Sequence, residues 1–266
     1  MKIATWNINS ARLRLPIIER LLRETQPDAL CLQETKSPVE KLPQDAFAAA
    51  GYPHVVARGE PGYNGVAILS RHPLEERASF DFCGKGDARH VAADLHAPGA
   101  DPITLHNLYV PAGGDTPDPE ANDKFAHKLD FVAEMAERLA DRPERSVAVG
   151  DFNIAPLEHD VWSHKQLLKV VSHTPVEVAR FEAAQRAGSW VDACRAVTPA
   201  DEKLYSWWSY RARDWRKSDR GRRLDHIWLT PSLGERLKTA SVLKDARGWE
   251  QPSDHAPVFA ELALSR

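Results

Sequence analysis

The sequence predicts an α/β protein: two packed mixed sheets with helices on their outer faces, a four-layered sandwich, in one domain over residues 1–266. Three observations carry this. Short apolar, β-rich runs are mixed with helical patterns along the whole chain. Apolar residues make up 42% and charged residues 27%, enough for a full core and against global disorder. No internal repeat and no low-complexity linker divides the 266 residues.

The elements follow in order. Residues 2–8 predict the first strand, and 14–25 place Leu15, Ile18, Leu21 and Leu22 at helical spacing. A strand is expected at 28–33 and a weaker helix at 42–50. Strands at 54–57, 65–70, 90–95 and 103–108 are punctuated by Pro61-Gly62 and Pro98-Gly99. A loop from Gly113-Gly114 to Pro119 leads into a helix over 123–140, with Phe125, Leu129, Val132, Met135, Ala136 and Leu139 on one face. Strand 146–150 runs into Gly150-Asp151-Phe152-Asn153. Weaker helices are expected at 160–171 and 176–187, and 155–190 reads as an insertion-like surface. Strands at 224–230, 238–243 and 257–263 complete the pattern.

Composition excludes several classes. No stretch approaches the roughly 18 apolar residues of a membrane span. MKIATWNINS reaches polar Asn7 too soon to hold a signal-peptide apolar region. Cys31, Cys83 and Cys194 are odd in number and lack CxxC spacing, which argues against a disulfide framework and a zinc knuckle. The expected setting is a reducing cytosol. The net charge of −3 counts mildly against nucleic acid. Residues 211–223, however, carry six Arg and one Lys against two Asp, and local sign outweighs the total.

Acids and amides recur at predicted strand ends. Glu34 follows an apolar run, and a carboxylate there needs a partner, for which Mg²⁺ is suited. The alternative is a surface Glu closing a strand. Asp151 and Asn153 lie two apart, so in extended backbone they face one side, fit to take a proton and to donate to phosphoryl oxygen. An Asx turn is the bland alternative. His255 follows Asp254, and Asp225 opens another apolar run and is the acid expected to orient the imidazole. Asn7 and Tyr109 complete the set. Together they fit metal-assisted phosphoryl transfer, which needs positioning and charge neutralisation.

Seven segments carry a resemblance: TWNINSARLR, LCLQETK, YNGVAILSR, NLYVP, GDFNIAP, DRGRRLDHIWL and SDHAPV. In this order, from residue 5 to 258, they resemble the exonuclease III and abasic-site endonuclease family of the endonuclease/exonuclease/phosphatase superfamily. The resemblance implies Glu34 as principal ligand of Mg²⁺ (Mn²⁺ can substitute), with Asn7 and Asp254 near it. It leaves open whether Asp151 and Asn153 also bind metal. It implies that Asp151 activates water, that Asn153 orients water and phosphate, that Tyr109 and His255 contact the phosphate, and that Asp225 holds His255. The implied activities are cleavage 5′ to abasic sites, 3′-to-5′ degradation of duplex DNA and removal of 3′ phosphates. The implied setting is a monomer in the bacterial cytoplasm, acting at the nucleoid and not on membranes.

DNA contacts are expected from Arg12, Lys36, Arg89, Trp207, Arg211, Arg222 and Leu224. Trp207 and Leu224 would wall an extruded abasic sugar. Arg213, Arg216 and Lys217 extend the basic surface, and Lys165 and Lys169, four apart, share a face of the expected helix. Two departures stand out: Ala112 replaces an amide common in relatives, and Arg222 stands where some eukaryotic relatives have Trp. Competing readings are a phosphatase of lipid or inositol phosphates and a DNA-binding protein without catalysis. QETK and the aromatic segment 205–210 oppose the first; the complete polar set opposes the second.

Overall fold

Two βαβ crossovers, one in each sheet, set the architecture. The computed structural model describes residues 1–264. The strands are β1 (Lys2–Asn7), β2 (Ala29–Gln33), β3 (His54–Arg58), β4 (Val66–Ser70), β5 (Leu74–Arg77), β6 (His90–Leu95) and β7 (Ile103–Tyr109). Then follow β8 (Ser146–Asp151), β9 (Val191–Asp192), β10 (Trp207–Trp208), β11 (Gly221–Arg222), β12 (Asp225–Leu229), β13 (Leu237–Val242) and β14 (Val258–Leu262). The helices are α1 (Leu15–Thr25), α2 (Gln44–Ala49), α3 (Asp123–Arg138), α4 (His164–Leu167), α5 (Pro175–Ala187), α6 (Ala193–Val197), α7 (Trp215–Ser218) and α8 (Pro231–Gly234).

One sheet has the order β13-β14-β1-β2-β4-β3 and the other β5-β6-β7-β8-β12-β9. Each contains one parallel pair, β1 with β2 and β7 with β8. Parallel neighbours require a crossover, which α1 and α3 supply. Ile3, Cys31, Ile68, Leu105, Val149 and Ile227 belong to the apolar layer between the sheets. Outside it, α1 packs Ile18, Leu21 and Leu22 with Trp6 and Leu30, and α3 packs Phe131, Val132 and Met135 with Ala148 and Trp228. The predicted four layers are therefore present.

Functional residues of α/β sheets collect outside the C-terminal ends of parallel strands. Here those ends carry Asn7 beside Gln33, and Tyr109 beside Asp151. Near them the apolar interlayer gives way to a clasp of amides. Asn107 Nδ2 donates to the Leu32 and Ala67 carbonyls, both at 2.9 Å, and Gln33 Nε2 donates to Asn107 Oδ1 at 2.7 Å. Buried amides persist only when bonded, so the clasp fixes one sheet against the other. Gly150 admits the close approach of β7: a Cβ there would lie 1.8 Å from the Leu108 carbonyl oxygen.

Three expectations need correction. Residues 160–171 do not form one helix; α4 covers only His164–Leu167, because Asp160 is held in a 3₁₀ turn by Arg195 and Arg223 and Val161 bridges to Arg222. Lys165 and Lys169 therefore share no helical face. Nor is 155–190 a surface insertion: Ala155, Asp160, Leu167, His173, Glu177 and Phe181 are buried. Finally, β5 (LEER) had escaped prediction because it is a mostly exposed edge strand without alternation.

Candidate active site

Antiparallel pairing of β12 with β8 sets Asp225 opposite Asp151. Asp225 Oδ2 accepts from His255 Nδ1 at 2.8 Å and from Ser206 Oγ at 2.7 Å. That bond orients the imidazole and leaves His255 Nε2 facing Asp151 Oδ2, 3.7 Å away. Trp6 Nε1 donates to the His255 carbonyl at 2.9 Å and Ser253 Oγ to the Asn7 carbonyl at 2.6 Å, so the SDHAP turn is docked on β1.

Asn7 joins the two sheets' acids. Its Nδ2 donates to Glu34 Oε1 and to Asp151 Oδ2, both at 2.9 Å. Tyr109 Oη also donates to Glu34 Oε1, at 2.8 Å, and the Lys36 ammonium lies 2.8 Å from Glu34 Oε2. Asp151 Oδ1 accepts from the Asn153 backbone N–H at 3.0 Å, while Asn153 Nδ2 donates to the Val110 carbonyl at 2.9 Å. Glu34 (φ 50°), Lys36 (φ 50°) and Asn153 (φ 53°) all take left-handed backbone. Such strain is tolerated where surrounding bonds over-determine it, and it concentrates at functional sites.

Burial, the nearby Asp225 and the nearby Glu34 push the Asp151 carboxyl up to about 7, against the pull of His255 and Asn7. Burial lowers His255, but Asp225 and Asp151 outweigh it and hold the imidazole up at about 10, a cation at neutral pH. Glu34 is lowered: burial opposes ionisation, and Asn7, Lys36 and Tyr109 overcome it. Burial and the two carboxylates hold Tyr109 well above its ordinary value, so it remains a donor.

The donors fit a hard divalent cation. Asp151, Asp225 and His255 offer ligand atoms within 4.8 Å of one another, with Asp225 Oδ2 and His255 Nδ1 bonded to each other and Asp225 Oδ1 without a partner. The better set is oxygen: Glu34 Oε2, with a single partner, and the Asp151 carboxylate. A cation beside them would relieve the crowding that raises Asp151. Asp254 Oδ2 accepts from Trp207 Nε1 at 2.9 Å.

The expected DNA contacts divide into two groups. Arg12 and Arg211 are exposed, as are Arg213, Arg216, Lys217, Lys165 and Lys169. Others are engaged inside the protein. Lys36 bonds Glu34 and Asn9; Arg89 pairs with Asp87 and lies 4.8 Å over the Tyr109 ring. Arg222 donates to Val171 and Ser172 and lies 5.3 Å over Trp207. Trp207 is half-buried and Trp208 fully buried, as alternation along β10 requires. Leu224 is buried against Val161 and Leu167. Ser206 and Asn107 were missed; neither has a sequence signal beyond lying next to a singled-out residue or strand end.

A profile of the Endonuclease/Exonuclease/phosphatase family matches residues 4–255. Exodeoxyribonuclease III of Haemophilus influenzae is 32% identical over 273 positions, covering 98% of this chain and 99% of that protein. The DNA repair nuclease APEX1 of Danio rerio is 31% identical, over 99% of this chain and 83% of its own length. Among solved structures, an AP endonuclease from Archaeoglobus fulgidus superposes with a TM-score of 0.91 at 34% identity, covering 99% of this chain and 100% of that one. The 3′ phosphatase NExo from Neisseria, bound to a product DNA hairpin, gives 0.90 at 33%, with the same coverage of 99% and 100%. A profile spanning both crossovers, and a relative above 30% identity along nearly the full length, place this chain in the Endonuclease/Exonuclease/phosphatase family.

Proposed function

We propose that this chain is a Mg²⁺-dependent DNA repair nuclease. It hydrolyses the phosphodiester 5′ to an abasic site, degrades duplex DNA from 3′ ends and removes 3′ phosphates; Mn²⁺ substitutes for Mg²⁺. One observation carries the reading: His255 Nε2 faces Asp151 Oδ2 at 3.7 Å, beside Glu34, and Asn7 joins the two acids. The names of the relatives support the DNA substrate, and their family is one of metal-dependent nucleases.

Glu34 and the Asp151 carboxylate would hold the cation, which would supply neutralisation of phosphate charge. Asp151 takes the proton of the attacking water, with Asn7 and the Asn153 N–H holding its two oxygens. Asn153 orients water and phosphate. His255, kept cationic by Asp225, and Tyr109, kept neutral, donate to phosphate oxygens. Trp207, fixed by Asp254, and Leu224 offer an apolar wall to the extruded sugar. The enzyme acts as a single-domain monomer, in the cytosol and at the nucleoid; no described helix is long and apolar enough to cross a membrane.

The test compares rates on abasic duplex, recessed 3′ ends and 3′-phosphorylated duplex, with Mg²⁺, Mn²⁺ or EDTA. DNA cleavage that EDTA abolishes is the expected result. Faster hydrolysis of inositol or lipid phosphates than of any DNA would overturn the reading.

A further inference from the structure

The buried face of α3 carries one residue that is not apolar, Lys128. Lys128 and Glu177 are both fully buried and paired at 2.5 Å. The three donors of Lys128 Nζ meet three acceptors: Glu177 Oε1, the Asn153 carbonyl at 2.7 Å and the Ala112 carbonyl at 3.3 Å. Glu177 in turn accepts from the N–H groups of Ser172 and Thr174 and from Thr174 Oγ1. One ion pair thus ties together the loop after β7, the turn after β8 and the Ser172 turn. The bonds to Thr174 and Ser172 are explained by helix capping at α5; the bond to Lys128 is not.

Stability does not explain the pair either. Two charges withdrawn from water gain little over an apolar pair of the same volume. What the pair does is local. Asn153 has left-handed backbone, and its N–H holds Asp151 Oδ1. Ser172, also left-handed at φ 91°, accepts from Arg222, which lies over Trp207. We infer that Lys128 is a positioning residue for hydrolysis: its ammonium, backed by Glu177, holds the Asn153 carbonyl and so keeps the Asp151-Phe152-Asn153 turn in its working conformation. This rests on the nuclease reading above.

The experiment compares wild type, Lys128→Met and the double variant Lys128→Met/Glu177→Gln on abasic duplex with Mg²⁺. Lys128→Met leaves a buried carboxylate unpaired and lowers Tm sharply. Glu177→Gln removes that charge while keeping an acceptor for Thr174, so the double variant regains most of the lost Tm. Its kcat stays about 10- to 100-fold below wild type, the scale of a small misplacement, with KM within about threefold. In ¹⁵N spectra the Asn153 and Ile154 amides shift, while Asn7 and Glu34 stay in place. A folded double variant with wild-type kcat would reduce the pair to a structural element. Wild type without activity on any DNA substrate would instead remove the nuclease reading, and the inference with it.

Discussion

The two βαβ units present site residues at equivalent strand ends but hold them differently. In the first, α1 buries only Ile17, Ile18, Leu21 and Leu22, and Glu34 is fixed by Asn7, Lys36 and Tyr109 around the carboxylate itself. In the second, α3 buries Lys128 among apolar residues, and the turn carrying Asp151 and Asn153 is braced from beneath by an ion pair with α5. On the proposed mechanism, the first unit would hold a charge that a cation shares and the second a proton acceptor in one orientation.

Substitutions at the two acids should separate these roles. Asp151→Asn is nearly isosteric but accepts no proton, so turnover should fall about 10²- to 10⁴-fold while DNA affinity holds or rises. Added Mg²⁺ should recover far less of it than for Glu34→Ala, because it does not replace the lost proton acceptor. Glu34→Ala should lose on the order of 10²-fold at limiting Mg²⁺ and regain part of that at high Mg²⁺, since a weakened site fills by mass action. Equal rescue of both variants in a Mg²⁺ titration would erase the distinction.

The Asp225–His255 bond joins the two sheets through β12 and the turn before β14. Asp225→Ala should reproduce most of the His255→Ala defect, and the double variant should be little worse than either. Additive losses across that cycle would show two independent groups.

Acid should find the second sheet first. His106 and His226 are pushed to about 4 by burial, and His90 well below its ordinary value by burial and then His106. Folded values below unfolded ones mean that the stability is complete above about pH 6.5 and is lost as pH falls towards 4. Between pH 6.5 and 5 each of His106 and His226 should cost about 2 kcal/mol. Hydrogen exchange at pH 5 should therefore quicken in β6, β7 and β12 before β1 and β2; the reverse order would contradict it. The smallest effect lies at the surface. Arg211→Ala with Arg213→Ala should lower the salt slope of duplex binding by roughly one unit per lost contact, alike for all sequences. An unchanged slope would move the DNA path elsewhere.

Much of this was legible because the site sits at strand ends. Glu34, Asp151, Asp225 and Tyr109 each close or open an apolar run, and period-two alternation set Trp207 and Trp208 on opposite faces without saying which is core. What could not be read was coupling through space. Glu177 looks like an ordinary capping-box acid after Thr174, and Lys128 looks like a solvated gap in a helical stripe; only folding sets them together. The engaged state of Lys36, Arg89 and Arg222 was hidden for the same reason: a basic residue in sequence carries no sign of an acid, ring or carbonyl that will occupy it. Residues 160–171 were misread because ion pairs with Arg195 and Arg223, not helical propensity, shape the start of that segment.

The site closes across nearly the whole chain. Ser253 bonds Asn7, β14 pairs with β1, and His255 reaches Asp225 only once the SDHAP turn is docked on Trp6. Such long-range closure is slow compared with local folding. During synthesis, then, Asn7, Glu34, Tyr109 and Asp151 all emerge long before the imidazole that completes them. The polar set therefore stays incomplete until β14 has been made and has paired with β1.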